Sequence, residues 1–243
     1  MRVVFVHGAC VRDGQWWWHR TAALLEEQGV HSVAVALPSC GETGVSPGAD
    51  GPGLVEDAAA LASVLNGGAG DEPTVVVAHS YGGIVVAQAA ATVDPSRRGV
   101  RHLVLVSSYL PTVGQSLGDF GGEAPAPFLH LDLVGGTFGV VPDLLASTFL
   151  QDCDDDVRGA APGRLARQSL HVVTTPVASA PWPDVPTTYV VCADDRGTPA
   201  AAQREFARRA DRIAEVEAGH HPFLSQPEVV RDLLLGLDTA TAS

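Results

Sequence analysis

The chain has 243 residues, 46% of them apolar, and a formal charge of −13. That supports one sizeable α/β domain and excludes a disordered chain. All 15 basic residues are arginine, so the chain lacks lysine and with it Schiff-base chemistry and a Walker-type phosphate site, and its acidic balance argues against nucleic acid or an anionic membrane as a partner. Val3-Val4-Phe5-Val6 reads as a short buried strand, His7-Gly8-Ala9-Cys10 as a turn, and residues 11–15 as a polar loop. Trp16-Trp17-Trp18 leads into a helix over 21–28 closed by Gly29. Residues 32–37 make a second strand, 38–53 a long Gly-, Pro- and Ser-rich loop, and 54–65 a helix ended by Gly67-Gly68. A turn at 71–73 precedes a strand over 74–79 and an apolar helix over 84–91. After a loop at 95–99 come a buried strand over 102–106, a further strand over 188–192, a helix over 199–210, a last strand over 213–216 and a final helix over 227–237. Apolar strands alternating with helices predict a mostly parallel sheet of about six strands, covered on both sides.

Between Leu110 and Val185 the alternation fails. The stretch holds glycine pairs, several prolines, an acidic run at 152–156 and short helical patterns at 142–150 and 163–171. It is too long for a simple connection. Residues 1–110 and 186–243 are therefore expected to form the core, and 111–185 an inserted helical lid over the edge where such sheets bind ligands. The acidic run lacks the glycine and distal glutamate of a Ca²⁺ loop and reads as a solvated lid face. The tryptophan cluster reads as a packing anchor for the first helix, with Trp17 the odd one out.

The stretch that carries chemistry is Val75-Val76-Val77-Ala78-His79-Ser80-Tyr81-Gly82-Gly83. β-Branched residues run into a serine, small residues follow, and a helix begins. A serine there sits on a sharp elbow at a helix N-terminus, where the dipole and unpaired N–H groups favour negative charge. The pattern resembles the nucleophile elbow of α/β-hydrolases, with Ala78 in place of the first glycine. In that family an acid and then a histidine follow the serine. The strand over 188–192 leads to Asp194-Asp195-Arg196 and Pro199, similar to the family's Asp-Arg-x-x-Pro run, and the last strand leads to Gly219-His220, similar to its Gly-His pair. The resemblance implies Ser80 as nucleophile, His220 as general base and Asp195 as orienting acid, with Asp194 the competitor for the acid and His221 for the base. His221 otherwise reads as a helix-capping or supporting residue. His79 should point away from the nucleophile by strand alternation, and His7 should pack its turn. An oxyanion needs two N–H donors. The resemblance supplies Tyr81, which follows the nucleophile, and the His7-Gly8 turn, with Ala9 the choice and Cys10 the fallback.

The motifs at Val6 to Cys10, the tryptophan spacing and the elbow together look like the branch that holds plant methylesterases, hydroxynitrile lyases and bacterial pyrethroid-type carboxylesterases. Its lyases carry a lysine directly after the catalytic histidine. Here that position is His221, which counts against the lyase. The resemblance thus implies a serine esterase acting on a small, largely apolar ester through an acyl-enzyme. Open beside it are thioester, lactone or carbon–carbon hydrolysis, a cyclase or lyase step, and a non-catalytic binding protein. Neither a metal nor a cofactor is expected. The partner is a small-molecule substrate, and the chain is a monomer or homodimer. Cys10, Leu110, Phe128, Trp182 and Phe223 are candidates for an apolar pocket. Cys10, Cys40, Cys153 and Cys192 form no Cys-x-x-Cys pair and read as reduced thiols. The apolar run at 3–6 is too short for a signal peptide, and no run reaches ~18 apolar residues, so a cytoplasmic location is the default expectation.

Overall fold

Six parallel strands, in the order β2-β1-β3-β4-β8-β9, form the centre of the computed structural model, which describes residues 1–67, 72–92, 99–122 and 124–239. They are β1 (Arg2–Val6), β2 (His31–Ala34), β3 (Thr74–His79), β4 (Val100–Val106), β8 (Thr187–Cys192) and β9 (Arg212–Val216). All six coincide with strands expected from the sequence, to within a few residues at their ends. Gly68, Asp71 and residues 95–98 of the expected loops lie outside the described residues.

The strands are apolar throughout because both faces of the sheet are covered. Val4, Val6, Val76, Ala78, Leu103 and Leu105 face one side. They pack against Leu54, Ala58 and Leu61 of α3 (Leu54–Asn66) and Ile84 and Val85 of α4 (Gly82–Ala89). Val3, Phe5, Val75, Val77, Val104 and Val106 face the other side. There they meet Leu25 of α2 (His19–Glu26) and Val230, Leu234 and Leu237 of α9 (Pro227–Thr239). Each Val, Leu, Ile or Phe among them contributes roughly 1.5–3 kcal/mol by leaving water. A short helix absent from the sequence reading, α1 (Gly14–Trp17), carries the first two tryptophans, with Asp13 accepting from the Trp16 N–H at its start. Trp18 is the anchor of the cluster, stacked between Phe5 at 4.4 Å and Phe223 at 3.9 Å.

Residues 107–186 connect β4 to β8. They are not purely helical. β5 (Leu129–Asp132), β6 (Thr137–Val140) and β7 (Gln168–Ser169) form a separate antiparallel sheet, beside α5 (Pro142–Phe149) and α6 (Asp155–Ala160). The expected helical pattern at 142–150 is α5. That at 163–171 is instead β7 between two 3₁₀ turns, Ala161–Arg164 and Leu170–Val173. Pairing of Gln168 and Ser169 with β6 outweighs a weak local helix preference broken by Pro162 and Gly163. The segment is tied to the loop after β1: Ala166 N–H donates to the Cys10 carbonyl and Arg12 N–H to that of Arg164, both at 2.9 Å. α7 (Ala200–Ala207) and the short α8 (Pro222–Ser225) complete the chain.

The elbow tolerates no side chain beyond hydrogen at Gly83. A Cβ there would collide with the Tyr109 carbonyl oxygen and with Ser108 Oγ at 2.5 Å. Gly83→Ala is expected to cost about 1–3 kcal/mol of stability, measured as a drop in the urea midpoint at unchanged m-value.

Candidate active site

β3 delivers Ser80 at φ 51°, a left-handed conformation that a non-glycine residue adopts only where its surroundings impose it. The imposition is visible. Ser108 Oγ, beyond β4, donates to the Ser80 carbonyl at 2.7 Å, and Gly83 N–H donates to the same oxygen at 3.2 Å. Close approach needs the small neighbours seen in the sequence: a Cβ on Gly82 would lie 2.6 Å from the Val6 carbonyl, and one on Gly8 3.1 Å from Ser80 Cβ.

The loops after β8 and β9 bring Asp195 and His220 together at the same end of the sheet. His220 Nδ1 and Asp195 Oδ2 are 2.7 Å apart, and both residues are buried. The carboxylate also accepts from Ser107 Oγ in a short hydrogen bond and from Gln203 Nε2 at 3.0 Å. Its second oxygen accepts from the N–H groups of Gly197 and Thr198 at 2.7 and 2.9 Å. Burial pushes the Asp195 carboxyl up, but the His220 ring beside it and these donated hydrogen bonds outweigh burial and hold it below the usual carboxylate range. A charged acceptor on Nδ1 requires the ring proton there, which leaves His220 Nε2 as the lone-pair nitrogen. Asp194, the competitor, is exposed, and its side chain makes no hydrogen bond to His220 among the described residues.

The N–H groups of Ala9 and Tyr81 donate to no protein acceptor among the described residues. Cys10 N–H is different: it donates to Gln168 Oε1 at 2.9 Å, so the fallback donor is already engaged. Gln168 Nε2 in turn donates to Ser39 Oγ at 2.9 Å, and Ser39 Oγ and Tyr81 OH both donate to buried Asp57, the latter at 2.8 Å.

Ser80, His220, Ala9 and Tyr81 line one cavity of about 520 Å³. Its remaining wall is mostly apolar, from Phe128, Leu129, Phe138, Leu145, Phe149 and Phe223 among others, and no Arg, Asp or Glu lines it among the described residues. Of the expected pocket residues, Cys10, Phe128 and Phe223 are in the wall; Leu110 and Trp182 are not. Both are buried in the core behind β4, where Trp182 Nε1 donates to the Pro111 carbonyl at 2.8 Å. An apolar residue flanking an insertion signals burial equally well in a core or in a pocket, which is why the sequence misplaced them. Trp17, the odd one out, does reach the cavity, with its ring 5.1 Å from that of His221.

Two further expectations need correction. His79 does not point away. Its ring lies 4.4 Å from that of His220, and its Nε2 donates to the His220 carbonyl at 3.0 Å, holding the loop that carries His220. Nor is the acidic run only a solvated face: Asp152 accepts the Gly219 N–H at 2.7 Å, and Asp154 caps α6 while pairing with Arg20 at 2.7 Å. His221 supports rather than competes, for its Nδ1 donates to the Phe149 carbonyl at the end of α5 at 3.0 Å. Sequence reasoning missed Ser107, Gln203, Glu42 and Gln168. Ser107 had a signal, a polar residue just past the C-terminal end of an apolar strand.

Residues 3–233 match the alpha/beta hydrolase family. The chain belongs to that family. The hydrolase is 29% identical over 258 residues to polyneuridine aldehyde esterase of Rauvolfia serpentina, spanning 96% of this chain and 94% of that one. It is 27% identical over 262 residues to methylesterase 9 of Arabidopsis thaliana, spanning 96% of each. Its fold matches the crystal structure of a pyrethroid hydrolase from Sphingobium faniae with a TM-score of 0.82 at 20% identity, over 100% of this chain and 98% of that one. These are the relatives that the motifs of the sequence resemble. No helix among the described residues is long and apolar enough to cross a membrane.

The histidines around the site make the hydrolase acid-sensitive. Burial and the adjacent His220 push His221 down to about 3, and burial with its histidine neighbours holds His79 well below the usual imidazole range. Below pH 6.5 the unfolded chain takes up these protons and the folded chain does not, so stability falls as pH falls. His221→Asn, which keeps a donor near Phe149, is expected to flatten that fall by about 1.4 kcal/mol per pH unit between about pH 6 and pH 4, read by urea unfolding at each pH.

Proposed function

We propose that this hydrolase cleaves a small, largely apolar carboxylic ester through an acyl-enzyme on Ser80. Ser80 Oγ attacks the ester carbonyl as His220 Nε2 takes its proton. The tetrahedral oxyanion receives the N–H groups of Ala9 and Tyr81. His220 then protonates the leaving alcohol, and water, activated by the same ring, releases the acid. Asp195 fixes the tautomer of His220 and stabilises the imidazolium that forms. In this reading residues 111–185 are the lid, with Phe128, Leu145 and Phe149 enclosing the substrate.

One observation carries the reading. A half-buried serine in a left-handed elbow, a histidine oriented by a buried carboxylate and two unengaged N–H groups share one apolar cavity. A binding protein has no use for that combination. The esterase names of the two sequence relatives support the bond class. A mostly apolar wall without an arginine among the described residues favours a neutral ester over one bearing a carboxylate.

The test is intact-mass spectrometry after exposure to a fluorophosphonate, with p-nitrophenyl acetate and butyrate turnover alongside. The native chain is expected to gain one adduct and Ser80→Ala none, with kcat falling by ~10⁴ or more in Ser80→Ala and by about 10³–10⁴ in Asp195→Asn. An adduct without ester turnover would move the assignment to thioester, lactone or carbon–carbon chemistry. No adduct would remove Ser80 as nucleophile.

A further inference from the structure

The loop after β1 contains a second buried histidine–carboxylate pair that the reaction scheme does not use. His7 Nε2 lies 2.6 Å from Glu42 Oε2, and His7 Nδ1 lies 2.8 Å from the carbonyl oxygen of Gly8. Glu42 accepts three backbone N–H groups as well: Leu37 at 2.7 Å, Asp13 at 2.7 Å and Gly14 at 3.2 Å. Three amide donors hold that carboxyl as a carboxylate. Both ring nitrogens of His7 therefore face acceptors, one a carboxylate and the other a carbonyl. A neutral imidazole has one N–H and would leave one of these contacts as two facing lone pairs. Only the doubly protonated ring satisfies both.

The Gly8 carbonyl and the Ala9 N–H belong to one trans peptide and point in opposite directions. Pinning the carbonyl on His7 aims the N–H the other way, and a cation on the carbonyl oxygen polarises the peptide so that its N–H is the stronger donor. Cys10, the next amide, is already engaged by Gln168, whereas Ala9, which also lines the cavity, has an N–H that donates to no protein acceptor among the described residues.

We infer that His7 is held as an imidazolium by Glu42 and acts as a positioning residue that aims and strengthens the Ala9 N–H at the oxyanion. The inference rests on acyl transfer at Ser80. The charged and titratable groups that face His7 are Glu42 from the loop after β2, Asp57 from α3 and His79 from β3. Burial lowers the His7 pKa, but the Glu42 carboxylate, with lesser help from Gly8 and Asp57, outweighs it and leaves it above the usual imidazole value, in agreement with the geometry.

The experiment combines Glu42→Gln kinetics with ¹⁵N NMR of the histidine rings in the native chain. Glu42→Gln is expected to lower kcat for p-nitrophenyl butyrate about ten- to a hundredfold, with KM changed less than about twofold. The alkaline fall of kcat is expected to move to lower pH in the variant, because His7 loses the carboxylate that keeps it protonated. In the native chain both His7 nitrogens are expected to carry protons above pH 6.5, where a free imidazole is already mostly neutral. A variant that melts earlier but keeps native kcat per fluorophosphonate-titrated site would overturn the inference, because a purely structural brace leaves kcat and its pH profile in place. A single protonated nitrogen in native His7 would also overturn it, even if the variant does not fold. Failure of the acyl-transfer reading itself shows separately, as ester turnover that survives Ser80→Ala.

Discussion

The buried Asp195 carboxylate is the interaction on which the site depends. An ionised carboxylate in a protein interior is costly unless hydrogen bonds and a cation compensate it. Five donors converge on this one, from the loops after β4, β8 and β9 and from α7. Meeting that demand holds three strand ends in mutual register. The carboxylate therefore orients His220 and also clasps this edge of the sheet. Ser107 belongs to the clasp. It is left-handed at φ 42° and donates to Asp195 Oδ2 from beside His220 Nδ1.

Two more carboxylates organise the opposite side of the cavity in the same way. Glu42 gathers the loop after β1 and the start of the loop after β2. Asp57, at the start of α3, gathers Ser39 and the Tyr81 hydroxyl beside Ser80. The three differ in charge environment. Glu42 is buried but has His7 against it and stays below the usual carboxylate range. Asp57 is buried without a direct cation, and burial raises it despite its hydroxyl and amide donors. Glu42 thus has the His7 ring against it and Asp195 the His220 ring, whereas only hydroxyl and amide donors serve at Asp57.

The histidines divide along the same line. His79 and His221 are buried with carbonyls as their partners and stay neutral, bracing the loop that carries His220. His7 has a carboxylate and is charged. Neighbouring rings of one residue type thus take different protonation states because burial lowers all of them and only some meet an anion. The insertion enters this arrangement through backbone contacts as well. Phe149 accepts from His221, Asp152 accepts from Gly219, and Gln168 engages Cys10.

Strand identity was legible because a parallel sheet covered on both faces needs uninterrupted apolar runs, and Val75, Val76 and Val77 or Leu103, Val104 and Leu105 meet that need locally. The elbow was legible for a similar reason, since Ser80 between small residues is a local steric requirement. Asp195 and His220 were picked out by their resemblance to the family's Asp-Arg-x-x-Pro and Gly-His motifs, each just past a strand. The interior of the insertion was not legible: β7 exists only because β6 lies beside it, and Leu110 and Trp182 carry the same apolar signal whether they face a core or a cavity. Glu42, Gln168 and Gln203 left no mark in the sequence, because a polar residue in a loop or helix looks solvent-exposed until the fold supplies partners many positions away. The sequence by itself determined the parallel sheet, the elbow and the placing of Ser80, Asp195 and His220 just past their strands, all of which depend on near neighbours. The fold alone decided which N–H groups stay unengaged, which histidines carry a proton and which apolar residues form the cavity wall, because each of these depends on burial and on partners distant in the chain.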